Sequence, residues 1–367
     1  MAEDALTSRQ RVNLAIDHQR PDRVPRDFAA VPEVWEQLGA FFGTTDRGRI
    51  LDVLGVDCRV VSYDLFCRDP DVDEQGPVGG AWRKAEPDGS YRDIWGAHRM
   101  LVKNPFGALD QFASFPLGHA ETTGDMQSYR WPSPAWWDFS GLRDFAARIN
   151  DHAGYNMRYR IGAIFETAWS LIGFEKAQLC LALKPALLRY MMERITEVHE
   201  ANLRKVLDTC SDLIDIVYFY DDVASQNSLL MSPEMYASTI QPYHQRIIEV
   251  AARFDKPVMM HCCGAVYPLI ERFIDMGLSI LNPVQPSARD MNPEKLANDF
   301  GGSITFHGGI DVQRFLPFAT PEQVRDKVRH TCELLGRHGG YIMSGSHHLQ
   351  ADTPLENILA MYGVAAG

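Results

Sequence analysis

The chain has 367 residues, a formal charge of −12, and a composition that is 46% hydrophobic and 23% charged. This is ordinary globular usage, and the acidic balance argues against nucleic acid or an anionic membrane as a main partner. No run of 18 apolar residues occurs and the start, MAEDALTSRQ, is polar, so we expect neither a transmembrane span nor a signal peptide. The 7 scattered cysteines indicate a reduced, cytoplasmic protein rather than a disulfide scaffold.

Short apolar strands alternate with helices along the chain. A capping helix is predicted over residues 8–19, and long amphipathic helices are predicted over 184–209 and from Pro321, after a Thr320 N-cap. The candidate strands are residues 23–28, 58–62, 159–165, 214–220, 257–261, 279–281, 303–307 and 340–343. Eight strands joined mainly by helices predict the α/β class and a single (β/α)₈ barrel domain over 1–367.

One segment breaks the alternation. Residues 67–137 are rich in Gly, Pro, Asp and Trp, which predicts a β-hairpin-like insertion after the second strand. Its aromatic residues either form a lid over the barrel mouth or simply pack against the barrel. They are Trp82, Tyr91, Trp95, Trp136 and Trp137.

Barrel enzymes carry their chemistry at the carboxyl ends of the strands. Nearly every predicted strand here ends in a polar or ionisable residue. These residues are Asp27, Asp64, Glu166, Asp221 with Asp222, His261 with Cys263, Asn282 with Gln285, His307, and Ser344 through His348. We therefore expect a polar pocket at this end, in which Asp27, Asn282, Gln285 and His348 contact the substrate.

His261 and Cys263 are the most informative pair among these residues. Side chains at i and i+2 of an extended segment point the same way, and imidazole nitrogen with thiolate sulfur suits Zn²⁺. In a closed barrel His347 or His348, after the last strand, can share that metal. A buried core histidine and cysteine, with a polar loop at the double histidine, is the alternative interpretation.

Three further carboxylate or imidazole positions are candidates for acid–base roles. Glu166 follows an apolar strand and suits a ligand, a general base or a charge at a helix N-terminus. Only one of Asp221 and Asp222 is expected to face the pocket, and N-capping is the alternative. His307 precedes two glycines that would let a ligand approach the backbone, or that serve only the turn.

Several segments together resemble the uroporphyrinogen decarboxylase superfamily over nearly the whole chain. The resemblance implies a (β/α)₈ barrel, in agreement with the strand count. The segments are RQRVNLAIDHQRPDRVP, DIWG, FETAWSLIGFEKAQLCL, YDDVASQNSLLMSPEMYASTIQPYHQRIIE, HCCGAVYPLIERFIDMGLSILNPVQP, FHGGIDVQ and GSHHLQADTPLENILAMY.

True decarboxylases of this superfamily carry an Arg-Gln-Ala-Gly-Arg-Tyr motif near the first strand, where arginines bind the porphyrinogen carboxylates. Here that region reads VPRDFAAVPEVWEQL, and Arg26 alone is a poor substitute. The predicted strand ends are mostly acidic or histidine, which would repel such a substrate. We therefore do not expect a porphyrinogen decarboxylase.

The chain resembles more closely the zinc-dependent methyltransferases that work with corrinoid proteins. These carry His-x-Cys on the fifth strand, matched by His261 and Cys263, and usually a third ligand, Cys, in the last loop. That cysteine position falls on His347, and Cys332 lies in the preceding helix. The resemblance leaves open whether His347, His348 or Glu166 completes the metal site, or whether the metal is absent.

An imidazole in place of a thiolate makes zinc a stronger Lewis acid, which favours an oxygen or nitrogen leaving group. The resemblance thus implies demethylation of a small methoxy or methylamine substrate, with Zn²⁺ in the site and cobalt of a partner corrinoid protein as methyl acceptor. Glu166, Asp222 or His307 would assist the leaving group. The alternatives are a decarboxylase or lyase acting on a small carboxylate without corrinoid, and a non-catalytic binding barrel. A homodimer is also open.

Overall fold

The computed structural model describes residues 6–68, 77–78, 81–104, 107–150 and 154–365. The strands are β1 (Cys58–Ser62), β2 (Pro77–Val78), β3 (Ala81–Ala85), β4 (Tyr91–Asp93), β5 (His98–Asn104), β6 (Gly107–Ser114), β7 (Asn156–Gly162), β8 (Ile216–Tyr220), β9 (Val258–His261), β10 (Ile280–Val284), β11 (Thr305–Ile310) and β12 (Tyr341–Gly345). The helices are α1 (Ser8–Ile16), α2 (Pro32–Phe42), α3 (Arg47–Val53), α4 (Leu142–Asn150), α5 (Phe165–Ile172), α6 (Phe174–Leu183), α7 (Pro185–Cys210), α8 (Pro233–Thr239), α9 (Gln241–Ala252), α10 (Ile270–Asp275), α11 (Pro293–Asp299), α12 (Pro321–Leu335) and α13 (Leu355–Tyr362).

The central sheet is parallel, with the strand order β1-β7-β8-β9-β10-β11-β12. The chain around Arg26 closes it. Met343 of β12 forms a parallel bridge with Arg26, and the N–H of Asp57, next to β1, donates to the Arg26 carbonyl at 2.9 Å. Helices connect most of the strands, so the predicted (β/α)₈ barrel is confirmed.

The predicted strand at 23–28 is wrong in its extent, because only an isolated bridge forms there. Pro25 has no N–H to give to a ladder. The N–H of Arg26 donates to the Asp57 carboxylate at 2.8 Å instead of to a neighbouring strand. The chain therefore closes the barrel at this point without forming a regular strand.

Apolar side chains fill the end of the barrel where the strands begin. Cys58 and Ile216 are first residues of their strands, and both are buried with Val12 of α1. Helix α1 has a complete capping box in which the Thr7 side chain accepts the Gln10 N–H. The predicted N-terminal capping helix is thus confirmed, and the space left inside the barrel lies toward the carboxyl ends of the strands.

The insertion between β1 and β7 contains an antiparallel sheet, β2-β3-β4-β5-β6, as the turn-rich composition predicts. Part of 67–137, and the side chain of Trp82, lie outside the described residues. Two insertion tryptophans join this region to the barrel. The indole N–H of Trp95 donates to the Tyr63 hydroxyl at 3.1 Å, and that of Trp137 to the Tyr63 carbonyl at 2.9 Å. These two rings therefore have a packing role.

The other boundaries agree with the sequence to within a few residues, with one consequential exception. The strand predicted at 159–165 ends at Gly162, and α5 begins at Phe165. Thr320 caps α12 through a capping box, as predicted. Among the described helices, none is both long and apolar enough to cross a membrane.

Candidate functional site

A cavity of about 500 Å³, the mouth cavity, opens at the carboxyl end of the barrel. It collects many of the side chains that the sequence places at strand ends. Those lining it are Asp27, His261, Asn282, His307, Ser344, His347 and His348. The expectation of a polar pocket at this end agrees with this arrangement.

Three donors converge at the edge of this cavity. His261 is the last residue of β9, Cys263 lies two residues beyond it, and His347 follows β12. One donor atom from each lies within 4.8 Å of the other two, and the Cys263 Sγ is 3.2 Å from the His261 Nε2. Donors in a tetrahedral zinc site are about 3.5 Å apart, so two nitrogens and one sulfur at this spacing fit Zn²⁺. Burial lowers the pKa of His261 to about 4, so its ring is neutral at neutral pH.

A chain of hydrogen bonds orients the His261 ring. Its Nδ1–H donates to the Asn282 Oδ1 at 2.6 Å, and the Asn282 amide donates to the His307 Nδ1 at 2.5 Å. The His307 Nε2–H donates to Asp27 at 2.8 Å. Burial alone would raise the pKa of Asp27, but the Arg158 guanidinium and the His307 N–H hold it well below its usual range. With Asp27 ionised, this arrangement leaves the Nε2 lone pair of His261 free for a metal.

Two carboxylates lie behind the Cys263 loop. The Asp222 carboxylate accepts the Cys263 N–H at 2.7 Å, and the Asp222 N–H donates to Glu166 at 2.8 Å. Burial, and then the charges of Asp222 and Glu166, raise the pKa of the Cys263 thiol. The negative charge of Asp222 favours a cation at this position, and a cation is what a metal-binding thiolate requires.

Asp221 has a different role from its neighbour Asp222. Its side chain is fully buried and accepts the backbone N–H groups of Ile164, Phe165 and Glu166 at 2.7–3.1 Å. It also accepts the His244 Nε2–H at 2.8 Å. Asp221 therefore caps α5 from the adjacent strand, and N-capping is the interpretation that fits this residue.

Glu166 consequently stands in the first turn of α5 and not at a strand end. It lines a second cavity of about 240 Å³, the insertion cavity, between the inserted sheet and the barrel. Other residues of this cavity are Tyr63, Asp64, Tyr91, Asp93, Trp95, Arg160 and Tyr220. Burial, followed by the charges of Asp222 and Asp221, raises the pKa of Glu166 to about 8. This shift favours the protonated form of Glu166 at neutral pH.

Of the other residues predicted to contact the substrate, His348 lines the mouth cavity and Gln285 does not. His348 lines the mouth cavity, and burial followed by the neighbouring His347 lowers its pKa to about 4. Gln285 does not line either cavity; its Oε1 accepts the Gly264 N–H at 2.9 Å. Gly264 has φ +95°, and a Cβ there would lie 2.4 Å from the Ser225 carbonyl oxygen. Gln285 therefore holds the turn that follows Cys263.

Two arginines inside the barrel were missed by the sequence reasoning. Arg158 and Arg160 both line the mouth cavity, so the expectation that acidic groups and histidines dominate it is incomplete. Arg158 is 1% exposed and paired with Asp27. The signal was present in NMRYRIG, where two arginines at i and i+2 of one strand must share a face.

Known proteins resemble this chain in both sequence and fold. Residues 146–366, more than half of the chain, match the family model described as uroporphyrinogen decarboxylase (URO-D). A stretch of 146 residues is 29% identical to a methylated-thiol–coenzyme M methyltransferase from Methanosarcina mazei, covering 40% of this chain and 36% of that protein. The chain thus spans only about a third of this relative's length.

A solved methyltransferase from Methanosarcina mazei has the same fold. It is 15% identical, covers 98% of both chains and superposes with a TM-score of 0.64. At this identity the likeness concerns the fold alone. The family match and the barrel lead to one conclusion: the chain belongs to the uroporphyrinogen decarboxylase family.

Proposed function

We propose that this chain is a zinc-dependent methyltransferase that removes a methyl group from a small methoxy or methylamine compound and passes it to a corrinoid protein. One observation carries the proposal: donor atoms of His261, Cys263 and His347 converge within 4.8 Å of one another beside the mouth cavity. The partial likeness to a methyltransferase acting with coenzyme M supports the reaction class.

The donor set bears on the choice of substrate. A zinc ion held by two imidazoles and one thiolate would supply Lewis acidity toward an oxygen or nitrogen leaving group. The corrinoid of a partner protein would supply the methyl acceptor. A thiolate in place of the His347 imidazole would make the zinc more electron-rich and better suited to thiol substrates. This difference favours an ether or amine over the methylated thiol in the relative's name.

Among the candidate acids, Glu166 fits best as the proton donor to the leaving group. Its raised pKa, about 8, favours the protonated form at neutral pH, and among the described residues its carboxyl group has the Asp222 N–H as its one hydrogen-bond partner. His307 uses both ring nitrogens, for Asn282 and Asp27. Asp222 holds the backbone of Cys263. We assign His307 and Asp222 positioning roles.

A second candidate is a decarboxylase or lyase that acts on a small carboxylate without corrinoid. The specific observation in its favour is Arg160, a guanidinium on the wall of both cavities. A cation in such a position can bind a carboxylate and hold it for reaction. This candidate requires neither the three metal donors nor a second protein.

Zinc content and methyl transfer test the proposal together. We expect about one zinc per purified chain by elemental analysis, lost in His261→Ala and Cys263→Ala and retained in the control Cys332→Ala. Cys332 lies in α12, outside the donor group. Mixing with methoxy or methylamine compounds and reduced cobalamin is expected to give the methylcobalamin spectrum in the wild type and Cys332→Ala only.

The opposite pattern would reject the methyltransferase. It consists of no stoichiometric zinc, no methylcobalamin from a broad panel of compounds, and no change on His261→Ala. Release of CO₂ from small carboxylates in the absence of cobalamin would establish the second candidate in its place.

A further inference from the structure

We propose that Arg160 is an anion-binding residue that holds a carboxylate group of the substrate, so that the compound demethylated is a small methoxy or methylamino acid. The inference rests on the proposed function for the methyl group, and on the structure of the cavities for the carboxylate. No expectation from the sequence included it.

Arg160 lies on the inner wall of the barrel, below the metal donors. In the sheet register it pairs with Ser62 of β1 on one side and Tyr218 of β8 on the other. Tyr218 and Arg160 both line the mouth cavity that contains His261. Arg160 also lines the insertion cavity, beside Glu166. A ligand bound to Arg160 would therefore lie next to both the mouth cavity, beside the metal donors, and the insertion cavity, beside the proposed proton donor Glu166.

The other arginines that line the interior of these cavities already have carboxylate partners. Arg158 is paired with Asp27. Arg99 lies 3.5 Å from Asp110 and 3.9 Å from Asp93, and Arg83 lies 4.0 Å from Asp110. Their charges are therefore balanced within the protein.

Arg160 differs, because no carboxylate oxygen of the described residues lies within 4.0 Å of its guanidinium. Its Nε–H donates to the Ser62 Oγ at 3.1 Å, which fixes the plane of the group. The two Nη atoms, which form the edge that binds carboxylates in a fork, have no hydrogen-bond partner among those residues. A half-buried guanidinium with one edge fixed and the other unused is a preorganised site for an anion.

The surroundings favour a carboxylate over a more highly charged group. Burial raises the pKa of Tyr218 to about 12, so its hydroxyl stays protonated and can donate to an anion. Asp64 lines the insertion cavity beside Arg160 but forms no ion pair with it within 4.0 Å. The single positive charge of Arg160 matches the single negative charge of a carboxylate, and the planar fork matches its two oxygens. A phosphate monoester would bring more negative charge than this single cation balances.

The spacing also sets a size. β7 and β9 are separated by β8, so the backbones of Arg160 and His261 are roughly 10 Å apart across the sheet. Both side chains extend into the same cavity of about 500 Å³. A molecule from methoxyacetate to methoxybenzoate in length can place its carboxylate on Arg160 and its methyl group toward the donors.

Isothermal titration calorimetry on the zinc-loaded chain, without corrinoid, tests the site directly. The probes are 4-methoxybenzoate and methoxyacetate, each with its neutral amide, and 4-methoxybenzenesulfonate. We expect at least one acid to bind tenfold or more tightly than its amide. Arg160→Gln should reduce that preference tenfold or more while leaving amide binding unchanged, and Arg160→Lys should restore part of it. The control Arg47→Gln, an exposed cation at the rim that stacks on Trp35, should leave it unchanged.

Equal affinity for acid and amide, or no binding of either acid, overturns the inference. Tighter binding of the sulfonate than of the carboxylate overturns the choice of carboxylate. Unchanged zinc content and unfolding midpoint in Arg160→Lys establish that the fold is intact. No methyl transfer occurs in this assay, so the two proposals can fail separately. Acid binding here, with no methylcobalamin in the earlier assay, would reject the proposed function alone. Methyl transfer there, with no preference for acid over amide here, would reject only the Arg160 site.

Discussion

At the scale of single residues, the candidate metal centre depends on which nitrogen of each imidazole carries hydrogen. Asp27, His307 and Asn282 form a chain in which every donor meets an acceptor, ending at the Nδ1 of His261. Only one tautomer of His261 fits that chain. The ring therefore presents its Nε2 toward the Cys263 Sγ, within the donor group that also contains His347.

Breaking this chain at its centre should weaken zinc binding. Asn282→Leu removes the acceptor of His261 and the donor to His307, so the ring is free to rotate or change tautomer. We expect zinc affinity to fall about 10- to 100-fold. Competition with a chromophoric chelator measures the zinc affinity. Asp27→Asn, which lies two hydrogen bonds beyond Asn282 in the chain, should reduce the zinc affinity less.

The unfolding midpoint of the zinc-free Asn282→Leu protein serves as the control for folding. Wild-type zinc affinity in a folded Asn282→Leu protein would show that the chain does not orient His261.

The sequence predicts some members of this site and not others, for physical reasons. His261 and Cys263 follow from the period of a strand, and His347 from the closure of a barrel. Arg160 requires knowledge of which cations are already paired, and that depends on contacts such as Arg158 with Asp27, more than 100 residues apart. The role of Asn282 depends on two imidazoles meeting one amide. No local sequence pattern predicts either the unpaired state of Arg160 or the contacts of Asn282.

At the scale of elements, the start of α5 is fixed from outside its own segment. Asp221, at the end of β8, supplies the acceptors for the first N–H groups of α5. The apolar run before Glu166 predicts a longer strand because a capping side chain 55 residues away is not visible in it. The placement of Glu166 in a helical turn follows from this contact.

Removing that acceptor should destabilise the fold. Asp221→Ala would leave three backbone N–H groups at the start of α5 and the Nε2–H of the fully buried His244 without an acceptor. We expect the free energy of unfolding to fall by about 3 kcal/mol or more. Urea unfolding followed by circular dichroism measures it. Asp212→Ala, which removes an exposed ion pair with Arg143, is the control and should cost much less. Equal losses in the two variants would contradict the capping role.

At the scale of the whole molecule, the inserted sheet and the barrel meet at a buried aromatic group. The His199 ring of α7 packs edge-on against Tyr63 and Trp95, with ring centroids 5.4 and 5.3 Å away. Burial lowers the pKa of His199 to about 4, although a hydrogen bond to the Ala163 carbonyl partly opposes this. The native protein therefore holds this ring neutral.

This ring should contribute to acid sensitivity. In the unfolded chain a histidine titrates near pH 6.5, so below that pH the unfolded state binds the extra proton and stability falls as the pH falls. The contribution of His199 to this loss is about 3 kcal/mol by pH 4. We expect His199→Phe to flatten the curve of unfolding free energy against pH between 7 and 4. Parallel curves for the two proteins would show that His199 does not titrate in this way.

The apolar residues of α1 and the first strand residues fill one end of the barrel, and this affects the order in which ligands can bind. Val12, Cys58 and Ile216 are buried at that end, so among the described residues the mouth cavity is the opening that leads to the metal donors from the carboxyl ends of the strands. In the proposed reaction, a protein carrying a corrinoid would cover the same opening. Substrate would then enter before that protein docks, and product would leave after it departs. On this proposal, steady-state measurements should show compulsory-order binding. Excess corrinoid protein should inhibit, because it would cover the mouth before the substrate binds.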